Sequence, residues 1–241
     1  MQKDGFISYL HETFARNGLS VSAENAELLY QLTEQLIQTN KTFNLTAITD
    51  REKIAELHMA DCAITAAAFP EHATVIDVGC GAGFPSLPLA VLRPDLRITA
   101  LDATQKKVDY VQKTAKMLGL KNLNTLCGRA EELAAKAEYR ETFDAATARA
   151  VAALPVLCEL CLPFVRVGGV FLAMKGKTAR AELEAARNAI ATLGGETVDF
   201  CDTPLLGKNE SFSRAEIRIR KITPCPTAYP RPYGRILKKP L

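Results

Sequence analysis

Three glycines at alternate positions, in Asp77-Val78-Gly79-Cys80-Gly81-Ala82-Gly83-Phe84-Pro85, carry the sharpest chemical signal in the chain. Glycine has no Cβ, so the backbone there can turn tightly and come close to a ligand. The run follows Thr74-Val75-Ile76-Asp77-Val78, a short buried-strand pattern, and leads into an apolar helical pattern reaching Leu92. Open α/β sheets hold their ligands at the carboxyl ends of strands, which is where such a turn falls. Asp102 stands twenty-three positions after Gly79, at the end of the next strand pattern. A carboxylate there can accept hydrogen bonds from both ribose hydroxyls of an adenosine. Its competing role is to cap the helix that starts near Thr104.

A pyrophosphate prefers Gly-x-Gly-x-x-Gly. Here the third glycine comes early, at Gly83, and position 84 is Phe. Asp77, just before the turn, suits a cationic amino-acid group better than phosphates. The pattern therefore favours S-adenosylmethionine over a dinucleotide.

Parallel strands must position this turn. Strand patterns recur at 74–78, 97–102, 123–127, 143–148 and 170–174, with helical segments between them. The helix after the second strand ends at Gly119, and another runs from about Ala179 to Gly194. Repeated strand and helix means a doubly wound parallel sheet with right-handed crossovers. Segments 196–202 and 214–222 are both strand-like, and the short loop between them leaves no room for a helical crossover. They should pair as an antiparallel hairpin, which makes a seven-stranded, Rossmann-like sheet of the class I methyltransferase type. Residues 1–70 read as a helical extension, with Ser22 and Asp50 as N-caps and apolar residues at helical spacing. Residues 71–222 read as the catalytic domain and 223–241 as a basic tail.

The chain has 241 residues, 48% of them hydrophobic and 24% charged, the balance of a globular protein with one sizeable core. No apolar run reaches the ~18 residues of a membrane span, and no secretory signal opens the chain, so a cytoplasmic protein is expected. Seven cysteines at unrelated spacings argue against a disulfide framework. Cys158 and Cys161 lack a second pair, so no metal site is expected. The net charge of +3 hides a gradient: residues 217–241 hold seven cationic side chains and no acidic one. That tail fits contact with a polyanion as well as it fits a solvated end.

Several ordered motifs make the sequence resemble the bacterial small-subunit (16S) ribosomal RNA guanine-N7 methyltransferases, the glucose-inhibited division protein B family. They are Asn44-Leu45-Thr46, His58-Met59-Ala60-Asp61, the glycine turn, Leu101-Asp102, Arg129-Ala130-Glu131, Ala148-Arg149-Ala150, Met174-Lys175-Gly176, Thr223-Pro224 and Tyr229-Pro230-Arg231. The glycine turn and Asp102 give Gly79, Gly81, Gly83 and Asp102 as the cofactor set, to which the resemblance adds Phe84, Ala130, Glu131 and Arg149. Arg149 would sit where the methyl meets its acceptor, and a surface salt bridge is its competing role. For Glu131 the competing role is a first-turn helix residue. Asn44, His58, Asp61, Lys175 and Arg231 become candidates for the RNA side, with 16S ribosomal RNA or the small subunit as partner. Against the family pattern stand Ser86 for Gly, Cys62 for Ser and Ala148 for Ser. Ser86 is expected to be neutral at a helix start, whereas the other two lose hydroxyls. A nicotinamide-dependent oxidoreductase and a non-catalytic RNA-binding assembly factor remain the alternatives.

Overall fold

In the computed structural model, which describes residues 2–241, the chain opens with helices α1 (Lys3–Arg16) and α2 (Ala23–Asn40). Phe6, Leu10 and Phe14 line the buried face of α1, and Leu29, Leu32 and Leu36 that of α2. The Ser22 hydroxyl accepts the Asn25 N–H at 3.1 Å, and the Asp50 carboxylate accepts the Lys53 N–H at 2.9 Å, so both expected caps form. The third helix is not continuous: α3 (Arg51–Ile54) passes through a π-helical segment, Ala55–Ala60, into α4 (Asp61–Ile64). Periodicity alone does not reveal that interruption, which accompanies a long-range contact described below.

The alternating region follows in order: β1 (Thr74–Val78), α5 (Ser86–Leu92), β2 (Arg97–Asp102), α6 (Gln105–Met117), β3 (Leu123–Cys127), α7 (Ala130–Leu133), β4 (Phe143–Arg149), α8 (Leu154–Cys161), β5 (Val165–Lys175) and α9 (Ala179–Thr192). The chain then runs through β6 (Gly195–Asp202), β7 (Leu205–Leu206), β8 (Ser211–Phe212), β9 (Ala215–Lys221) and α10 (Tyr233–Lys238). The sheet has seven strands in the order β3-β2-β1-β4-β5-β9-β6. Strands β1 to β5 pair in parallel, and β9 pairs antiparallel with both β5 and β6. Opposite charges face each other across the terminal pair, Asp199 with Arg218 and Glu196 with Arg220, which favours this register. The expected architecture is therefore the observed one. Among the described residues no helix is long and apolar enough to cross a membrane.

Two features lie beyond the sequence pattern. The loop between β6 and β9 folds into a two-stranded ribbon, β7 with β8, that clasps the N-terminal helices. Asn17 exchanges two hydrogen bonds with the backbone of Leu206, and the buried Glu56 carboxylate accepts the Lys208 N–H at 2.8 Å and the Tyr9 hydroxyl at 2.5 Å. Residues from α1, α2 and the bent helix also share one buried apolar cluster with Val75, Leu87, Ile98 and Val111, so helical extension and sheet face have a continuous core.

The basic tail is the second. Arg140 donates to the carbonyls of Cys225 at 2.7 Å and Tyr229 at 2.9 Å, fastening the chain back on the domain. Lys221 is fully buried and donates to the Leu162 carbonyl at 2.8 Å beside Glu141. Arg231, expected to face RNA, instead forks onto the fully buried Glu159 of α8, with Nη2 to Oε2 at 2.6 Å and Nε to Oε1 at 2.8 Å. That pairing commits Arg231 within the fold, because a buried carboxylate requires a cation more than solvent does. Arg235, Lys238 and Lys239 keep their charges on the surface.

Removing one partner of a buried pair costs about 3–5 kcal/mol. Arg231→Ala is therefore expected to lower the urea midpoint at unchanged m-value, while Lys238→Ala leaves it in place. Where both variants stay folded, Arg231→Ala leaves the salt slope of RNA binding unchanged, and a reduced slope in a filter-binding titration would show that its charge reaches phosphate.

Candidate active site

Asp77 is the penultimate residue of β1, with its side chain fully buried. Its Oδ2 accepts the Ser86 N–H at 3.2 Å and the Ser86 hydroxyl, while Oδ1 has no partner. Ser86 is thus more than a neutral helix start: it holds one carboxylate oxygen of Asp77, while the other has no partner. Burial outweighs those two bonds and pushes the Asp77 carboxyl up to about 6.

The turn that follows is shaped by its glycines. Gly79 sits at φ +77°, and a Cβ there would lie 2.7 Å from Val151. Gly83, at φ +85°, has its Cα against Leu87, where any Cβ would collide. The N–H groups of Gly79 and Cys80 both donate to the Leu101 carbonyl at 2.8 Å, tying the turn to the end of β2. Asp102 accepts the Gly81 N–H on Oδ2 at 3.0 Å and the Thr104 N–H on Oδ1 at 2.9 Å. The N-cap of α6 is Thr104, so Asp102 is not the cap residue. It braces the turn and still lines the adjoining cleft.

That cleft is a cavity of about 420 Å³ walled by Gly79, Gly81, Phe84, Asp102, Arg149 and, from the N-terminal segment, Thr46. A second cavity of about 410 Å³ opens beside it, with Leu57, Ile64 and Met174 as apolar walls and Asp61, Lys175 and Arg214 as polar ones. His58, Arg149 and Ala150 border both cavities. Ala150 adopts φ +57°, a left-handed conformation that costs a non-glycine residue about 1–2 kcal/mol and bends the chain away as β4 ends.

Arg149 is the junction. Its Nη1 donates to Asp61 Oδ2 and to the Leu57 carbonyl, each at 3.0 Å, and its Nη2 faces His58 Nδ1 at 3.1 Å. The salt bridge set against a functional role in the sequence is real, but it is buried and borders both cavities. The π-helical segment makes it possible: the Asp61 N–H reaches back five residues to the Glu56 carbonyl, and the Leu57 carbonyl accepts the guanidinium instead. A guanidinium can only donate, so His58 Nδ1 must accept. The ring proton therefore sits on Nε2, which donates to Thr46 Oγ1 at 3.1 Å. Burial, then the charge of Arg149, pushes the His58 imidazole down to about 3, so it is neutral at every physiological pH. Its ring stacks on Phe84 at 4.4 Å between centroids. Arg214 closes the network, with Nε on Asp61 Oδ1 at 2.7 Å.

The structure thus brings together Gly79, Gly81, Phe84, Asp102, Arg149, His58, Asp61 and Lys175. It keeps others apart. Gly83 packs the turn onto α5, Ala130 and Glu131 open α7 beyond the cavity walls, Asn44 is exposed next to Leu45 and Thr46, and Arg231 lies with Glu159. Cys62 and Ala148 are fully buried in apolar clusters, so their missing hydroxyls leave no gap in the site. Thr46, Ala150, Glu182 and Arg214 were not singled out from the sequence; Thr46 and Ala150 lie inside quoted motifs, whereas Arg214 and Glu182 arrive by tertiary contact alone.

The family model described as rRNA small subunit methyltransferase G matches residues 25–205. The curated Ribosomal RNA small subunit methyltransferase G of Clostridium perfringens (strain 13) is 43% identical over 216 residues, 89% of each chain. Its counterpart in Leuconostoc citreum (strain KM20) is 41% identical over 246 residues, covering 100% of both chains. Among solved structures, M. jannaschii TYW2 in complex with AdoMet superposes with a TM-score of 0.54 at 14% identity, over 67% of this chain and 75% of that one. The [4+2]-cyclase SpnF does so with a TM-score of 0.56 at 16% identity, over 80% of this chain and 94% of its own. Those two likenesses concern the fold; the curated relatives extend over nearly the whole sequence. The chain belongs to the rRNA small subunit methyltransferase G family.

Proposed function

We propose that this chain transfers a methyl group from S-adenosylmethionine to N7 of a guanine in small-subunit (16S) ribosomal RNA, working with the ribosomes in the cytoplasm. The observation that carries this reading is the pair of cavities meeting at His58, Arg149 and Ala150. One opens on the glycine turn and takes the cofactor; the other takes the base. Family membership supplies the substrate class, since the curated relatives are named for small-subunit ribosomal RNA.

The residues present fit the cofactor. Asp77 Oδ1 is a buried oxygen without a partner, suited to an amino-acid ammonium group. Gly79 leaves open the space that a Cβ would fill. Asp102 keeps lone pairs for ribose hydroxyls beyond its two backbone bonds. When bound, S-adenosylmethionine supplies an electrophilic methyl on a sulfonium sulfur.

The protein's task is then placement. Guanine N7 carries a lone pair and no proton, so the N–C bond forms as the C–S bond breaks, with no base required. His58 fits that demand, because a neutral imidazole committed on both nitrogens neither takes nor gives a proton. Arg149, compensated by Asp61, walls the two cavities without offering an open charge. Ala150 turns the backbone aside where methyl and acceptor meet.

Labelled S-adenosylmethionine incubated with small subunits and with naked 16S RNA, both from cells lacking this protein, is expected to yield 7-methylguanosine on nucleoside analysis. Label at any other atom, or none on either substrate, overturns the assignment. Gly79→Val is expected to abolish cofactor binding in calorimetry while the far-ultraviolet circular dichroism stays intact. Cofactor affinity should also fall as the pH drops through about 6, by up to tenfold per unit, because protonated Asp77 no longer attracts an ammonium group. The sign for stability is opposite: a carboxyl raised above its unfolded value costs the ligand-free protein stability as the pH rises from about 4 to 6. Asp77→Asn removes both dependences, and calorimetry across this range with urea melts checks them together.

A further inference from the structure

We propose that Lys175 reads O6 of the acceptor guanine, with Glu182 as the residue that aims it; the proposal rests on the base-cavity assignment above. Lys175 closes β5 beside Arg149, whose strand partner is its neighbour Met174. Its side chain is 8% exposed in the wall of the second cavity. An ammonium group has three donors. One reaches the Ala152 carbonyl at 2.8 Å, and another the Glu182 carboxylate at 2.6 Å. The third has no acceptor among the described residues, and a buried donor left unmatched is costly.

Both carboxylate oxygens of Glu182 are engaged. Its Oε2 also accepts the Leu154 N–H at 2.8 Å, and its Oε1 accepts the Thr178 hydroxyl at 2.7 Å. The ammonium is therefore held between α9 and the loop that follows β4, and its remaining N–H has little freedom. Asp61 is charge-compensated, with Arg149 on one oxygen and Arg214 on the other. Arg214, at 30% side-chain exposure, sits nearer solvent than Lys175. At the inner wall Lys175 thus presents an N–H donor.

That polarity selects among purines. Guanine presents N7 and O6 as adjacent acceptors on one edge, whereas adenine places an amino donor at position 6. With N7 turned to the methyl, a lysine N–H at the neighbouring position matches guanine and opposes adenine. The carboxylate partner matters chemically as well. The purine gains positive charge as N7 is methylated, and an ammonium already compensated by Glu182 marks O6 without opposing that charge.

The test uses full-length protein with small-subunit RNA carrying either guanine or 2-aminopurine at the methylated nucleotide. The analogue keeps N7 and lacks O6. The wild type is expected to lose about 10- to 100-fold in kcat/KM on the analogue. Lys175→Met should fall by a similar factor on guanine and treat the two RNAs alike, with cofactor affinity in calorimetry unchanged. Glu182→Gln should narrow the guanine to 2-aminopurine ratio without removing the lysine. A ratio as large as the wild type's in both variants overturns the proposal. Failure of the wild type to methylate either RNA would instead sink the base-cavity assignment on which it stands.

Discussion

A guanidinium set into an apolar wall requires acceptors on every side that water cannot reach, and Arg149 finds all of them on one helical segment. Its side chain is 15% exposed, and Leu57, His58 and Asp61 supply the carbonyl, the ring nitrogen and the carboxylate. Leaving such a charge unpaired would cost several kcal/mol, about what a domain can spare. The N-terminal helices are thereby bound to the active-site end of the sheet. They do more than extend the domain, because they supply the acceptors that pair the buried Arg149 cation.

That requirement propagates outward. The π-helical segment has its hydrogen bonds rearranged so that the Leu57 carbonyl faces Arg149, and the bent helix displays two buried carboxylates in different directions. Asp61 points to the strand ends and is shared with Arg214 at the foot of β9. Glu56 points the other way and is held by Tyr9, Lys53 and the Lys208 N–H of the ribbon. A Cβ at Gly207 would come within 3.1 Å of the Glu56 carboxylate, so the ribbon backbone approaches closely there. The β6–β9 loop is thus a second tether on the helix that Arg149 needs, and terminal hairpin, ribbon and site form one connected polar frame.

How much of this was legible depended on the range of the interaction. The glycine turn, Asp102 and the parallel sheet follow from short-range patterns, since turn, strand and cap chemistry act over a few residues. The hairpin followed from a loop too short for a crossover. The interrupted helix did not, because Ile54, Leu57 and Ile64 keep a helical spacing whichever way the carbonyl bonds run. The ribbon has two residues in each strand, too few for any alternation to show. The pairing of Arg231 was not legible, because composition counts cations without showing where Glu159 is buried. Ser86 was read from local helix chemistry, while its partner Asp77 lies nine residues back across the turn. Ala130 and Glu131 rest on the resemblance, and the walls of the glycine-turn cavity do not include them.

The charges around the proposed base cavity are arranged in compensated sets, and the proposed reaction gives a reason. N7-methylation turns a neutral purine into a cation inside a partly dry pocket. Two like charges 4 Å apart at an effective dielectric constant of about 20 repel by about 4 kcal/mol. That is about a thousandfold in rate if it falls on the transition state. A cavity lined by Arg149, Arg214 and Lys175 alone would exact that penalty, however well it bound an RNA phosphate. Asp61 between the two arginines and Glu182 on the lysine remove most of it, leaving the N–H groups in place while cancelling much of the field. His58 contributes by staying neutral. The arrangement separates recognition, which uses the direction of N–H bonds, from charge, which an N7 methyl transfer must keep low beside the base.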